Sequence, residues 1–371
     1  MTGAPDFTPQ EMTSRLGRVR AAMLAGGVDA VITTDAANVR YVTGFRGEPR
    51  TLLITPRELV LYTSFRTQNW AERQVVALGS ALELSTAAEP ISDIRGRLSG
   101  MAAVIGVDQA ISHRKLDRLQ AEFGEHRLRP AEPVEISRRI KSHAEIEILS
   151  QAQRINEQIF EESLSQIRPG MSERAAQGVI LAAMAGLEDV DRYAFMPIVA
   201  NGASAWEIHH LPDATTIEEN QMLLIDLGIV YRGYASDMTR VVCFGRASDE
   251  MREVHGSVCE AQEAAIAAMR PGVSTHEIDG IARELIAATG HGRSFTHGLG
   301  HSIGLETHDP GLVLSTRMPE VELQAGMVFT VEPGIYIEDG FGVRVEDVVA
   351  VTDRGTRNLT GQSRELLEIG T

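Results

Sequence analysis

The sequence predicts an α+β protein in two parts, a small α/β domain over residues 1–137 and a larger domain over 138–371 built from a duplicated α+β unit. Three observations predict this. The N-terminal third alternates short β-branched runs with helical patterns. Farther on, IRPGMSERAAQGVILAAMAG (Ile167–Gly186) is repeated in outline by MRPGVSTHEIDGIARELIAATG (Met269–Gly290). Each copy is followed by β-rich sequence carrying two acids, Asp226 and Asp237 after the first, Glu332 and Glu346 after the second, at similar separations.

With 371 residues, 43% of them hydrophobic, the chain can fill two sizeable cores. Its formal charge of -16, without a basic patch, argues against nucleic acid as a partner. No apolar run reaches membrane-spanning length, so no membrane partner is expected. The start, MTGAPDFTPQ, lacks the basic and apolar regions of a signal peptide. Cys243 and Cys259 cannot build a disulfide framework and read as buried structural thiols. The cytoplasm is the simplest address.

Taken in order, Thr8-Pro9-Gln10-Glu11 predicts a helix start, with Thr8 as cap, Pro9 at the first position and Glu11 closing a capping box. Met12, Leu16, Val19 and Met23 then recur at helical spacing, and Gly26-Gly27 ends the helix. Strands are expected at Ala30–Thr33, Thr51–Thr55, Leu59–Tyr62 and Ala103–Val107, with helical segments between them. No catalytic constellation falls in this domain. It is expected to wall off the second domain or help it dimerise. Arg138-Arg139-Ile140-Lys141 reads as solvated linker charge ahead of a helix over Ala144–Gln166, whose buried stripe would be Ile146, Ile148, Leu149 and Ala152. Ser172 and Ser274 are the expected caps of the two repeated helices.

The chemistry concentrates between His297 and Glu346. HGLGHSIGLETHDP and TVEPGIYIEDGFGVRVED place His297, His301 and His308 beside Glu332 and Glu346, and DLGIVYRGYASDMTR supplies Asp226 and Asp237 upstream. Four carboxylates and one imidazole suit two adjacent divalent cations, which can activate a hydroxide and polarise a carbonyl. His301 breaks the symmetry of the two halves. Asp237 and Glu346 each come second in their repeat and are the expected bridging ligands. Glu332 could both bind metal and shuttle a proton to the leaving nitrogen. His308 and His209 are candidates to stabilise an oxyanion or grip substrate, and His297 to line the pocket. Strand alternation puts Asp237 with Thr239, and Arg344 with Glu346, so that Thr239 could orient a ligand and Arg344 counter its charge. In Glu332-Pro333-Gly334 the last two residues are expected to end the strand.

These residues resemble the pita-bread-fold metallopeptidases, a group of Xaa-Pro dipeptidases (prolidases), Xaa-Pro aminopeptidases, methionine aminopeptidases and creatinases. The resemblance covers nearly the whole chain. The family's first metal aspartate matches Asp226, and its Tyr-x-x-Asp-x-Thr-Arg element matches Tyr234 to Arg240, with Asp237 as ligand. Its metal histidine matches His301, and its two glutamates match Glu332 and Glu346. The substrate-side histidine, seventeen residues before the first aspartate, falls on His209 rather than His210, and the other active-site histidine falls on His308. The resemblance implies a pita-bread catalytic domain behind a creatinase-type N-terminal domain, and a homodimer. Creatinases lose the metal ligands, and here all five stand.

One position departs from the pattern. Small prolidases often carry an arginine eleven residues after the metal histidine to read the dipeptide carboxylate, and here Leu312 stands there. Arg317 or Arg344 are the possible substitutes, Arg344 being taken as substrate-binding. The expected activity is hydrolysis of Xaa-Pro bonds in short proline-containing peptides with two divalent ions, manganese first and cobalt, iron or zinc as alternatives. The rival readings are a lyase or hydrolase of a small osmolyte-like molecule, and a non-catalytic interaction module.

Overall fold

In a computed structural model that describes residues 7–75, 82–99, 103–123 and 128–370, the chain divides into two compact units, Met1–Arg138 and Arg139–Thr371. In the first unit, helix α1 (Pro9–Ala25) starts as its sequence dictates, with the Thr8 hydroxyl accepting from the Glu11 amide at 3.2 Å. The other half of the expected capping box is replaced by an ion pair. Glu11 accepts from Arg15, one turn on, at 3.1 Å, because Arg15 is buried and needs a counter-charge there.

Strands β1 (Ala30–Thr33), β2 (Thr51–Ile54), β3 (Leu59–Tyr62), β4 (Glu83–Ser85), β5 (Ile105–Val107) and β6 (Leu128–Pro130) form one mixed sheet in the order β4-β3-β2-β1-β5-β6. Two of these strands, β4 and β6, are not predicted by the sequence. Both are three-residue edge strands whose charged residues hide any alternation. Nor does a helix separate β2 from β3. They form a hairpin turned by Thr55, whose hydroxyl accepts from the Arg57 and Glu58 amides. Helices α2 (Ala36–Thr43), α3 (Gln68–Gln74), α4 (Pro90–Arg97), α5 (His113–Phe123) and α6 (Pro133–Arg138) complete the unit.

The second unit opens with α7 (His143–Leu164), started by a reciprocal capping box between Ser142 and Glu145. Ile148, Leu149 and Ala152 are buried as their spacing predicts, whereas Ile146 is half-buried and Glu145 is buried beside Tyr234, whose hydroxyl donates to it at 2.8 Å. The basic run before α7 is not solvated. Arg138 is buried and donates to Asn38, and Lys141 is buried in an ion pair with Asp309 at 3.0 Å.

The duplication is visible in the backbone. Helix α8 (Glu173–Gly186) is capped by Ser172 and α10 (Thr275–Ala288) by Ser274, each hydroxyl accepting an amide at 3.1 Å. Before each cap a glycine with φ of 88° (Gly170, Gly272) turns the chain, and its amide donates to the carbonyl of Ile217 or Leu323 at 2.9 Å. Between them lies α9 (Asp249–Ala268).

After α8 come β7 (Arg192–Tyr193), β8 (Ile198–Asn201), β9 (Met222–Leu227), β10 (Ile229–Tyr231), β11 (Tyr234–Ala235) and β12 (Met238–Phe244). The second half has β13 (Gly300–His301), β14 (Val313–Leu314), β15 (Val328–Val331), β16 (Gly334–Tyr336), β17 (Gly342–Arg344), β18 (Asp347–Thr352), β19 (Gly355–Asn358) and β20 (Leu367–Ile369). One sheet runs β20-β12-β9-β8 and another β15-β18-β19. Strand β9 is covered on both faces. Leu223, Ile225 and Leu227 pack in the core of α7 and α8, while Met222 and Leu224 pack in the core shared with α9, α10 and the second half. The period of two therefore turns Asp226 toward the second half. Cys243 is buried, and Cys259 only half-buried.

Candidate active site

Each acid sits at a strand end. Asp226 is next to last in β9, in register with Thr239 of β12, and Asp237 immediately precedes β12. The Asp237 backbone is clamped by buried Gln153 of α7, which accepts from its amide at 3.1 Å and donates to its carbonyl at 2.8 Å. Glu332 follows β15 and accepts from the Thr330 hydroxyl at 3.1 Å. Pro333 ends that strand as expected, but Gly334 already begins β16. Glu346 precedes β18 and accepts from the Thr239 hydroxyl at 2.7 Å, one of the bonds by which the two halves meet. His301 closes β13, its amide donating to the Thr330 hydroxyl at 3.0 Å. Next to it, a Cβ on Gly300 would lie 2.0 Å from the Thr330 carbonyl oxygen, so only glycine lets these strands approach.

The five residues converge on one cleft of about 880 Å³. His301 Nε2 lies 3.4 Å from Glu332 and 3.7 Å from Asp237, and ligand atoms of Asp237, His301 and Glu346 all fall within 4.8 Å of one another. Asp226 is tied in by Arg344, which donates to its Oδ2 at 2.6 Å.

So many acids in a dry place resist ionisation. Burial, followed by the repulsion of neighbouring carboxylates, holds Asp237 and Glu346 well above the usual carboxylate range, and burial raises Glu332. His301 is pushed down to about 4 by burial. Its Nδ1 sits 3.2 Å from the Ser302 carbonyl and donates to it, which leaves the Nε2 lone pair facing carboxylate oxygens. Lone pair against lone pair is repulsive, and cations or protons between them relieve it. Asp226 Oδ1 is also buried without a hydrogen-bond partner. Four carboxylates, one imidazole and an unpartnered oxygen fit divalent cations.

Arg344 is the one arginine or lysine among the described residues lining the cleft. Burial works against its charge, but Tyr336, Asp226, Glu332 and Glu346 more than offset this. Each of its three nitrogens makes a bond, to Asp226, to Thr239 at 3.0 Å and to the Tyr336 hydroxyl at 3.0 Å. Tyr336 in turn donates to His297 Nε2 at 2.9 Å, and His297 Nδ1 donates to the Gly298 carbonyl at 2.7 Å. Burial lowers the His297 pKa and pushes the Tyr336 phenol up to about 12. His308 stacks edge-on against His301, ring centres 4.1 Å apart, its pKa lowered by burial and by His301. Exposed His209 lines the cleft. Arg317 does not line it and donates to the Thr296 carbonyl at 2.7 Å, while Leu312 is buried in the apolar core.

Three supports are silent in the sequence. Tyr336, Gln153 and the Lys141–Asp309 pair, with Lys141 also donating to Ser302 at 3.1 Å, hold the site from segments far apart in the chain. Only Asp309 carried a local hint, following His308 directly.

Comparison with known proteins agrees with this geometry. The model of metallopeptidase family M24 matches residues 147–353, and that of the creatinase/prolidase N-terminal domain matches 15–140. The chain is 31% identical over 362 residues to an Xaa-Pro dipeptidase of Pyrococcus horikoshii, covering 96% of this chain and 99% of that protein. Its fold is similar to that of an Xaa-Pro dipeptidase from Bacillus anthracis, with a TM-score of 0.89, 30% identity and coverage of 96% and 100%. An X-Pro aminopeptidase from Thermotoga maritima gives a TM-score of 0.84, 32% identity and coverage of 94% and 100%.

Proposed function

Because the chain belongs to metallopeptidase family M24, its pita-bread domain preceded by a creatinase/prolidase N-terminal domain, we propose that it hydrolyses Xaa-Pro bonds of short peptides with two divalent ions. Asp226, Asp237, His301, Glu332 and Glu346 would hold the ions. The observation that carries this is the convergence of those five residues on one cleft, with His301 beside Asp237, Glu332 and Glu346. The substrate follows from relatives named for Xaa-Pro peptides. Bound there, two divalent cations supply a water nucleophile at neutral pH and polarise the scissile carbonyl, manganese being the first choice for so many carboxylates.

The chain's own residues do the rest. Glu332, held by Thr330 and with its proton affinity raised by burial, takes a proton and returns it to the leaving nitrogen of proline. His308, against His301, donates to the developing oxyanion, and His209 grips the substrate. His297 lines the pocket in a fixed tautomer set by Gly298 and Tyr336. Arg344, bonded through each of its nitrogens, serves as counter-charge and organiser, and its remaining N–H groups are open to substrate.

That commitment bears on substrate length. With Leu312 apolar, Arg317 outside the cleft and Arg344 already paired with Asp226, the carboxylate of an Xaa-Pro dipeptide would be desolvated without a cation of its own. Tripeptides should therefore be cleaved at least as well as dipeptides. Measuring kcat/KM for Ala-Pro and Ala-Pro-Ala at equal manganese loading, beside a panel of small osmolyte-like molecules, tests both points. A strong dipeptide preference would return a carboxylate reader to the site. Turnover of the small molecules alone would make the protein a lyase or hydrolase of another class. Sedimentation would settle whether the working form is the homodimer its family suggests.

A further inference from the structure

His210, beside His209 on the wall of the cleft, bonds a different set of acids. Its Nε2 lies 2.7 Å from Glu173 and its Nδ1 3.0 Å from Glu207. A neutral imidazole has one N–H, so two carboxylates at its two nitrogens require the imidazolium. Glu173, the first residue of α8 and fully buried, also accepts from the Asn201 amide at 2.8 Å and faces the Asp213 amide. Helix start and backbone thus fix this carboxylate, whereas Glu207 is exposed on the same loop as His210.

We propose that His210, held as an imidazolium between Glu173 and Glu207, is a positioning residue that locks the loop of residues 207–213, and with it His209 and Leu211, against the cleft. Substrate binding then weakens at alkaline pH as the clamp opens. The inference rests on the reading of His209 as substrate-facing. The charged groups around the ring are Glu173 on α8, Glu207 and Asp213 on the loop, and Arg174, whose amide donates to the Asp213 carbonyl. Burial opposes the ring's charge, but Glu207 and Glu173 outweigh it and raise the pKa above the ordinary 6.5. A raised imidazole contributes fully below 6.5, and its contribution is lost as pH rises through the raised value.

The test follows amide-exchange protection of residues 207–213 and the KM for Ala-Pro-Ala between neutral and alkaline pH in the manganese-loaded enzyme. Protection should fall and KM rise together with pH. His210→Gln should lose the protection throughout and raise KM about tenfold at neutral pH, with kcat little changed. Glu207→Gln, at an exposed site that should not disturb folding, should move the transition to lower pH. Unchanged protection in His210→Gln, or an unmoved transition in Glu207→Gln, overturns the clamp. So does a KM that ignores the loop, or a third equivalent of metal bound through His210. If the unmodified enzyme cleaves no proline peptide, the Xaa-Pro reading fails, and the exchange measurement still decides the clamp.

Discussion

In the first half of the second unit the acids are aspartates at the ends of the β9–β12 ladder, paired over six residues, whereas in the second half they are glutamates just beyond the ends of the β15–β18 ladder, paired over four. Short acids stand on the long, rigid ladder and long acids on the short one. The longer side chains need more fastening, and they receive it from Thr330 and Thr239. The halves also differ in what accompanies the acids. His297, His301, His308, Tyr336 and Arg344 all belong to the second, while the first contributes His209 and a backbone clamp on Asp237. Duplication supplied the positions, and the departures from it supplied the chemistry.

The largest expected effect breaks this division of labour at Glu332. Glu332→Gln should lower kcat by about 10²–10⁴-fold if general acid–base help is what it contributes. Metal content and kcat of the variant, measured together, decide it, and a variant with both ions and normal turnover would move the shuttle elsewhere. Next is Arg344, the second half's hold on the first. Arg344→Met leaves Asp226 buried and unpaired and should cost about 3–5 kcal/mol of stability in chelated protein, read by denaturant unfolding. Gln153→Ala, which frees the Asp237 backbone, should cost less, about 1–3 kcal/mol.

Chelation sharpens the comparison through pH. Asp237, Glu332 and Glu346 have raised pKa values in the folded chain, so without cations their contribution is full below ordinary carboxylate values and is lost as pH rises. The drop in Tm on adding chelator should be larger at pH 8 than at pH 5.5, and an equal drop would place the ions elsewhere. The smallest effect tests equivalence. Ser172→Ala and Ser274→Ala should each cost about 1 kcal/mol, because both hydroxyls cap through the same bond. Thermal unfolding showing one cap silent would mean that the halves have diverged in their scaffold as well as their chemistry.

Much of this was legible before any coordinates. The repeat, the serine caps and the buried spacing of Met12, Leu16, Val19 and Met23 are local patterns, and local patterns survive into structure. The convergence of the acids on one cleft was legible because they recur in step with the repeat. What stayed hidden depends on partners distant in sequence. Lys141 reads as linker charge until Asp309 folds over it, and Tyr336 is an ordinary strand tyrosine until Arg344 and His297 reach its hydroxyl. Strands β4 and β6 escaped because an edge of three residues is defined by its neighbour rather than by its own composition.

The missing side chain at Gly300 has a consequence for anyone reading a mutational scan of this protein. Even alanine there would meet backbone, which cannot rotate aside, and the displaced strand would carry His301 with it. A saturation library should therefore score Gly300 as intolerant as the histidine beside it, though it has no side chain to offer a ligand or a charge.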